Sequence, residues 1–261
     1  LNRKSIVHVK GGYLKASYEN MSYLKKTISK RVLKLYKKGI VLSESLKPLL
    51  EEFLGPEKIF IQHNFIQQSL ILSEKEVFKR KDFEGIRIVF LSNLIPEKGI
   101  YQLLDALDEL NSNGIEFEAK IAGHIPNNQQ GIIERMYKIK NLEFIGVVRD
   151  SAKADLLSWG NVFCLPTYYS MEGQPISILE AMGFGNVIVT TKHAGIPDVC
   201  TDKNGLFVEK RDVESLVNEL NYLTKNTVWV EETCRFNLIQ ARKLYSEEAF
   251  VNGVIKIMKS K

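Results

Sequence analysis

The sequence predicts an α/β protein built from two doubly wound units on parallel sheets. Three observations lead there. From residue 86 onward, short apolar runs alternate with longer amphipathic ones; the connections are only a few residues long; and the same alternation fills residues 1–72, ahead of a polar stretch at 73–85. A parallel strand pair needs a crossover, usually a helix and almost always right-handed, so strand–helix alternation with short connections gives buried parallel sheets.

The elements follow in order. "SIVHV" (5–9) reads as a strand entering a glycine turn, and "MSYLKKTISKRVLKLYKKG" (21–39) as a basic amphipathic helix with apolar positions 21, 24, 28, 32 and 35. "GIVLS" (39–43) is a strand, "ESLKPLLEEFLG" (44–55) a helix and "KIFIQHNFI" (58–66) a strand; "SEKEVFKRKDFEG" (73–85) is the expected linker. Beyond it, "IRIVFL" (86–91), "FEAKIAG" (117–123), "LEFIG" (142–146), "NVFCLP" (161–166) and "VIVTT" (187–191) are strands. Between them lie helices at 99–114, closed by Asn113-Gly114, at 130–140, at 151–160, ending at Gly160, and at 176–185. From about Val213 the tail is helical throughout. The expected division is 1–72 as one unit, 73–85 as linker, 86–240 as the second unit, and 241–261 as a terminal helix that packs back on the first unit.

Composition narrows the function classes. At 261 residues, 44% hydrophobic and 26% charged, the chain can bury one large core or two modest ones and is neither disordered nor fibrous. Cys164, Cys200 and Cys234 lie far apart in or beside apolar runs, which suits reduced structural thiols and a cytoplasmic protein. No apolar run approaches the ~18 residues of a membrane span. Charge is uneven: residues 1–38 hold eleven Lys and Arg against Glu19, a balance of +10, so with +5 in all, residues 39–261 carry −5. Such a basic segment attracts anions such as lipid or sugar phosphates; without stacking aromatics or a nucleic-acid motif it does not read as a nucleic-acid site. The chain opens at Leu1 on a strand, which leads to the expectation that the start of the first unit is absent.

In a parallel α/β sheet, ligands bind where strand C-termini lead into helix N-termini. Three loops have that position: "SNLIPEKG" (92–99), "GHIPNNQQ" (123–130) and "PTYYSMEGQP" (166–175). In the third, Gly173 allows a tight turn and Pro175 suits the first helical position, so the free N–H groups of residues 176–178 and the helix dipole make an anion site. Glu172 and Glu180 bracket it. Carboxylates beside a bound anion repel it unless they accept hydrogen bonds from sugar hydroxyls, which points to a nucleotide sugar. The plainer alternative makes Glu172 a surface acid, Glu180 an exposed helix residue and Lys98 a solvated charge.

In that order, "FLSNLIPEKGIYQLLDAL", "FEAKIAGHIP", "LEFIGVV", "VFCLPTYYSMEGQPISILEAMGFGNVIVTTKHAGIPDV" and "NGLFVEKRDVESL" resemble the nucleotide-binding half of family 4 retaining glycosyltransferases, the glycosyl transferases group 1. The resemblance runs from about residue 86 to 220. Upstream, "IVHVKGGYLKASYE", "GIVLSESLK" and "IQHNFI" look like the later part of the acceptor-side domain of capsule and exopolysaccharide members. It implies a GT-B fold of two Rossmann-like domains, the first one incomplete. It also implies Glu172 on donor-sugar hydroxyls, Glu180 on the ribose, Lys98 on the diphosphate, and backbone contacts from Gly173, Gln174, Pro175, Ile176 and Ser177. Asn93, Gly123 and Gly146 complete the nucleotide-sugar side. Asn93 stands where the family commonly has Arg, and Lys10 where many members have an acceptor-side His; His8, two residues earlier, reads as a packed histidine.

The expected activity is transfer of a sugar, with retention, from a UDP- or GDP-sugar to a saccharide or lipid-linked acceptor, without metal or other cofactor and in peripheral contact with an anionic membrane. A non-catalytic nucleotide-sugar-binding module and a nucleotide-sugar epimerase are the alternatives. If the first domain is incomplete, these 261 residues bind a nucleoside diphosphate without efficient transfer.

Overall fold

The computed structural model describes residues 5–129 and 131–260; Arg3 and Lys4 of the basic segment and Gln130 of the second loop lie outside them. The first unit is a three-stranded parallel sheet of β1 (Ile6–Val9), β2 (Lys38–Val41) and β3 (Ile59–Ile61), in that spatial order. Between β1 and β2 lie α1 (Tyr13–Glu19) and α2 (Tyr23–Leu33). The sequence reading contains no counterpart of α1, whose run "YLKASYE" is too short to show a period. The helix expected over 44–55 is instead a 3-10 turn at 44–46 followed by the four-residue α3 (Pro48–Glu51), because Pro48 cannot donate within a continuing helix. β3 also stops early: after Ile61 the chain leaves the sheet and runs to the other unit.

The expected linker is itself folded. α4 (Glu74–Arg80) opens on a capping box in which Ser73 accepts from the Glu76 N–H and the Glu76 carboxylate accepts from the Ser73 N–H. The Ser-x-x-Glu spacing that makes this box is visible in the sequence. Val77 is buried in the core of the second unit, so the segment belongs to that unit rather than joining two.

The second unit has six parallel strands: β4 (Arg87–Leu91), β5 (Glu118–Ala122), β6 (Leu142–Gly146), β7 (Val162–Leu165), β8 (Val187–Thr191) and β9 (Gly205–Val208), in the spatial order β6-β5-β4-β7-β8-β9. β9 is an edge strand absent from the sequence reading. β7 and β8 are buried at every residue, as central parallel strands covered on both faces must be. Helices α5 (Ile100–Ser112), α6 (Gly131–Lys138), α7 (Asp150–Trp159), α8 (Ile176–Gly183) and α9 (Val213–Lys225) supply crossovers and cover. The chain runs outward from β4 through β5 to β6, then restarts at β7 on β4's other side. The strand order therefore reverses between β4 and β7, which opens a crevice at their C-terminal ends.

α10 (Thr227–Leu244) and α11 (Glu247–Lys259) close the chain. The expected boundary at 241 falls inside α10, and the terminal helix begins at Glu247. α11 lies on the first unit: Phe250 stacks on His8 of β1 at 6.5 Å, and the Lys38 ammonium donates to the Ile257 carbonyl at 2.6 Å. Two apolar cores result, one in each unit.

Candidate functional site

The loops after β4 and β7 flank the crevice and are stitched together. The Glu97 carbonyl accepts from the Tyr168 N–H at 2.8 Å and from the Thr167 hydroxyl at 3.2 Å. This brings the Lys98 ammonium within 2.5 Å of Glu172 Oε2 and sets it 4.9 Å from the Tyr169 ring centre. Both side chains of the pair are mostly covered, 13% and 9% exposed. One turn into α8, Glu180 is buried and takes the Lys153 ammonium on Oε1 at 2.5 Å.

This arrangement overturns the plainer alternative as the sequence framed it. Neither glutamate is a surface acid, and Lys98 is not a solvated charge. Each carboxylate spends one oxygen on a lysine, while Glu172 Oε1 and Glu180 Oε2 accept no hydrogen bond from the described residues. Two paired lysines also offset the two acids, so an anion can enter without meeting uncompensated negative charge. Lys153, on α7, was not singled out from the sequence. It lies 27 residues from its partner, and nothing in the α7 run "DSAKADLLSW" marks its lysine as turned inward.

The helix end differs from expectation in detail. Pro175 is the N-cap, with φ −63° and ψ 114°, rather than the first helical residue, and α8 begins at Ile176. The Ile178 N–H donates to the Pro175 carbonyl at 3.2 Å, leaving the N–H groups of Ile176 and Ser177, rather than three, for an anion.

Gly173 serves a purpose other than a left-handed turn. A Cβ there would stand 2.7 Å from the Lys10 carbonyl oxygen and 3.1 Å from Gly11 Cα. The glycine lets the backbone that follows β1 lie against the loop. Gln174 sends its side chain the same way: Oε1 accepts from the Asn64 N–H at 2.6 Å, and Nε2 donates to the Leu42 carbonyl at 3.1 Å and lies 2.8 Å from His63 Nδ1. Its amide is thus occupied, and its backbone carbonyl accepts from Asn64 Nδ2 at 3.1 Å. Asp198 accepting from the Glu44 N–H at 2.6 Å, and Tyr13 meeting Tyr169 hydroxyl to hydroxyl at 2.8 Å, complete the seam. That hydrogen bond, with burial and nearby acids adding to it, pushes the Tyr169 phenol up to about 12.

The remaining expected residues lie along the strand ends. Gly123 has φ +150°, and a Cβ there would collide with the Ser92 carbonyl; its N–H donates to the Gly146 carbonyl at 2.8 Å, so these two glycines pave the β5–β6 side of the crevice. Asn93 is exposed beside them. Lys10 is exposed at the mouth on the first unit, while His8 stacks on Phe250 at 6.5 Å and is held below the ordinary imidazole value by burial and then by the Lys10 charge. No group of three or more His, Cys, Asp or Glu that could hold a metal occurs among the described residues.

Comparison with known proteins places this geometry. Residues 85–226, just over half of the chain, match the family described as glycosyl transferases group 1. The chain is 29% identical over 142 residues to the putative colanic acid biosynthesis glycosyltransferase WcaL of Escherichia coli, covering 52% of this chain and 35% of that one. It is 26% identical over 145 residues to the GPI3 subunit of phosphatidylinositol N-acetylglucosaminyltransferase of Saccharomyces cerevisiae, covering 55% and 32%. The matched stretch thus spans about a third of each of these relatives. Among solved structures, Anabaena HepE in complex with UDP and glucose superposes with a TM-score of 0.77 at 16% identity, over 98% of this chain and 71% of that one. With the sheet order, the crevice and the two glutamates in place, the chain belongs to the glycosyl transferases group 1, and its two parallel-sheet units have the GT-B fold.

Proposed function

We propose that the protein transfers a hexosyl group, with retention, from a UDP- or GDP-sugar to a saccharide or lipid-linked acceptor at the cytoplasmic side of an anionic membrane. The observation that carries this reading is the pair of covered glutamates, each holding a lysine on one oxygen and keeping the other open at the N-terminus of α8. Glu180 takes ribose hydroxyls, Glu172 takes hydroxyls of the donor sugar, and Gly123 and Gly146 leave room beside them. Lys98 and the Ile176 and Ser177 N–H groups receive the diphosphate. In the reaction the bond from the anomeric carbon to the phosphate oxygen breaks, an acceptor oxygen forms the new bond on the same face, and its proton passes to the departing phosphate. The two N–H groups and Lys98 stabilise the charge that grows there, fixed in position before the reaction starts. Lys10 and Tyr13 line the acceptor side. The names of WcaL, GPI3 and HepE, which speak of polysaccharide synthesis, a lipid substrate and UDP, support the substrate classes.

The test combines calorimetric titration with UDP and GDP and an assay of acceptor-dependent nucleotide release. Glu172→Gln is expected to leave nucleoside diphosphate affinity intact and to depress transfer. Absence of binding by either nucleotide, or full transfer by the variant, overturns the reading.

A further inference from the structure

Past the donor loop, the C-terminal edge of the second sheet carries a further group of cations. β8 and β9 end in register, Thr191 beside Val208, so Lys192, which follows β8, and Lys210 and Arg211, which follow β9, emerge on the same edge. The two lysines line a cavity of about 290 Å³ with Phe207, Val208 and Glu209. All three cations are exposed. Among the described residues none of them has a carboxylate within ion-pair distance or donates a side-chain hydrogen bond, whereas Lys98 and Lys153 are spent on Glu172 and Glu180.

Two of the three are nonetheless held in place. The Lys192 ammonium sits 5.0 Å from the Phe207 ring centre, and the Arg211 guanidinium 4.5 Å from that of Tyr168. A cation over a ring face keeps N–H groups for an acceptor. Arg211 takes up its place from a left-handed backbone, φ +62°, at a cost that a glycine there would not carry. Strain of this kind points to a use for the side chain.

Location and chemistry select the ligand. The diphosphate site follows β7, at the N-terminus of α8, whereas the cavity lies at the ends of β8 and β9, so an anion held there is not the donor's. Tyr168, under Arg211, is followed by Tyr169, whose hydroxyl meets Tyr13 on the acceptor side and whose carbonyl lies 2.8 Å from Nε2 of His193, the neighbour of Lys192. The cations therefore border the acceptor mouth. The cavity is at the lower end of small-molecule site volumes, which suits one sugar residue rather than a longer chain. Glu209 is the one carboxylate of its lining and is available to accept from hydroxyls; Asp212 is committed to capping α9, accepting from the Ser215 N–H at 3.1 Å. Unspent lysine and arginine donors favour an acidic group over a hydroxyl.

We propose that Lys192, Lys210 and Arg211 form a subsite for an anionic group, carboxylate or phosphate, on the acceptor saccharide. This deepens the proposed function by naming the acceptor class, and it rests on that reading for the identity of the ligand as an acceptor.

The test is calorimetric titration of the whole chain, at saturating UDP so that the donor crevice is filled, with glucuronate, glucose 6-phosphate, glucose and inorganic phosphate. At least one of the two acidic sugars is expected to bind about tenfold more tightly than glucose and than inorganic phosphate, and the tighter of the two names the group. Lys192→Gln and Lys210→Gln should each weaken it roughly three- to fivefold. Arg211→Gly fits the left-handed backbone, so the melting temperature should hold while binding falls, a split that separates an arginine that holds a ligand from one that only clamps Tyr168. No binding by either acidic sugar, equal binding of glucose or of inorganic phosphate, undiminished binding by the variants, or a lowered melting temperature for Arg211→Gly overturns the proposal. UDP affinity should be the same in all three variants. A chain that binds an acidic sugar without UDP and does not bind UDP refutes the donor site alone, so the two readings fail separately.

Discussion

Replacing Glu180 by Gln probes the ribose role most directly. The Glu180 side chain is 6% exposed, with one oxygen on the Lys153 ammonium at 2.5 Å and the other accepting no hydrogen bond from the described residues. Gln keeps the volume and one acceptor oxygen, so no cavity forms. Lys153 is itself 19% exposed and can turn its charge to water, so the stability loss should stay below the ~3–5 kcal/mol seen when a fully buried charge is orphaned. Binding should suffer separately. A hydrogen bond to a charged group contributes about 1.5–3 kcal/mol and a neutral one about half of that. UDP affinity should therefore fall roughly 4- to 12-fold for Gln, and further for Ala. Uridine should lose the same factor, since the ribose is common to both. Calorimetric titration measures the two ligands, and Lys153→Met with the double variant gives the coupling: if Lys153 acts only by orienting Glu180, its effect disappears once Glu180 is Gln. Unchanged dissociation constants for UDP and uridine, with only a lowered melting temperature, would falsify the ribose assignment and leave the pair a structural ion pair.

Three more outcomes are expected. Lys98→Met should weaken UDP far more than uridine, because only the diphosphate carries the charge it meets; equal losses would mean that the lysine acts through its ion pair with Glu172 alone. Gly173→Ala places a methyl 2.7 Å from the Lys10 carbonyl, and the strain of overpacking, about 1–3 kcal/mol, should lower the melting temperature by several degrees and spread the seam; an unaltered melt would show that the seam yields freely. Burial pushes Cys200 up to about 12, Cys234 to about 11 and Cys164 higher, and pushes Lys81 down to about 8. Unfolded thiols ionise above about pH 8.5 and lose three protons that the folded state keeps, whereas the unfolded Lys81 keeps one that the folded state sheds. The thiols' stability is thus fully present below about pH 8.5 and is lost as pH rises towards their folded values, while the cost of burying Lys81 is relieved between 8 and 10.5. The net two protons give a fall of about 3 kcal/mol per pH unit between roughly 9 and 10. Urea unfolding under reducing conditions reads it, and Lys81→Met should steepen the fall; a flat profile would refute the burial account.

The sequence by itself determined the layered α/β class and singled out the loop before α8 as the candidate site. Strand–helix alternation after residue 86 has its period written locally, because a strand buried on both faces must be a continuous apolar run, as "VFCL" and "VIVTT" are. The Gly-Gln-Pro turn before α8 and the two glutamates around it were likewise visible as residue types at a junction. Their state was not. Whether Glu180 is an exposed helix residue or a covered carboxylate depends on Lys153, which another helix delivers from 27 positions away. Gly173 looked like a turn residue and proved to be a place where the backbone of Lys10 and Gly11 approaches, a steric fact about two distant segments. Gln174 was expected to offer its backbone, and nothing in the sequence showed that its side chain would reach Leu42 and Asn64. The direction of the apolar arc of α2 was equally beyond the sequence, since periodicity gives a helix two faces and only packing decides which one turns inward.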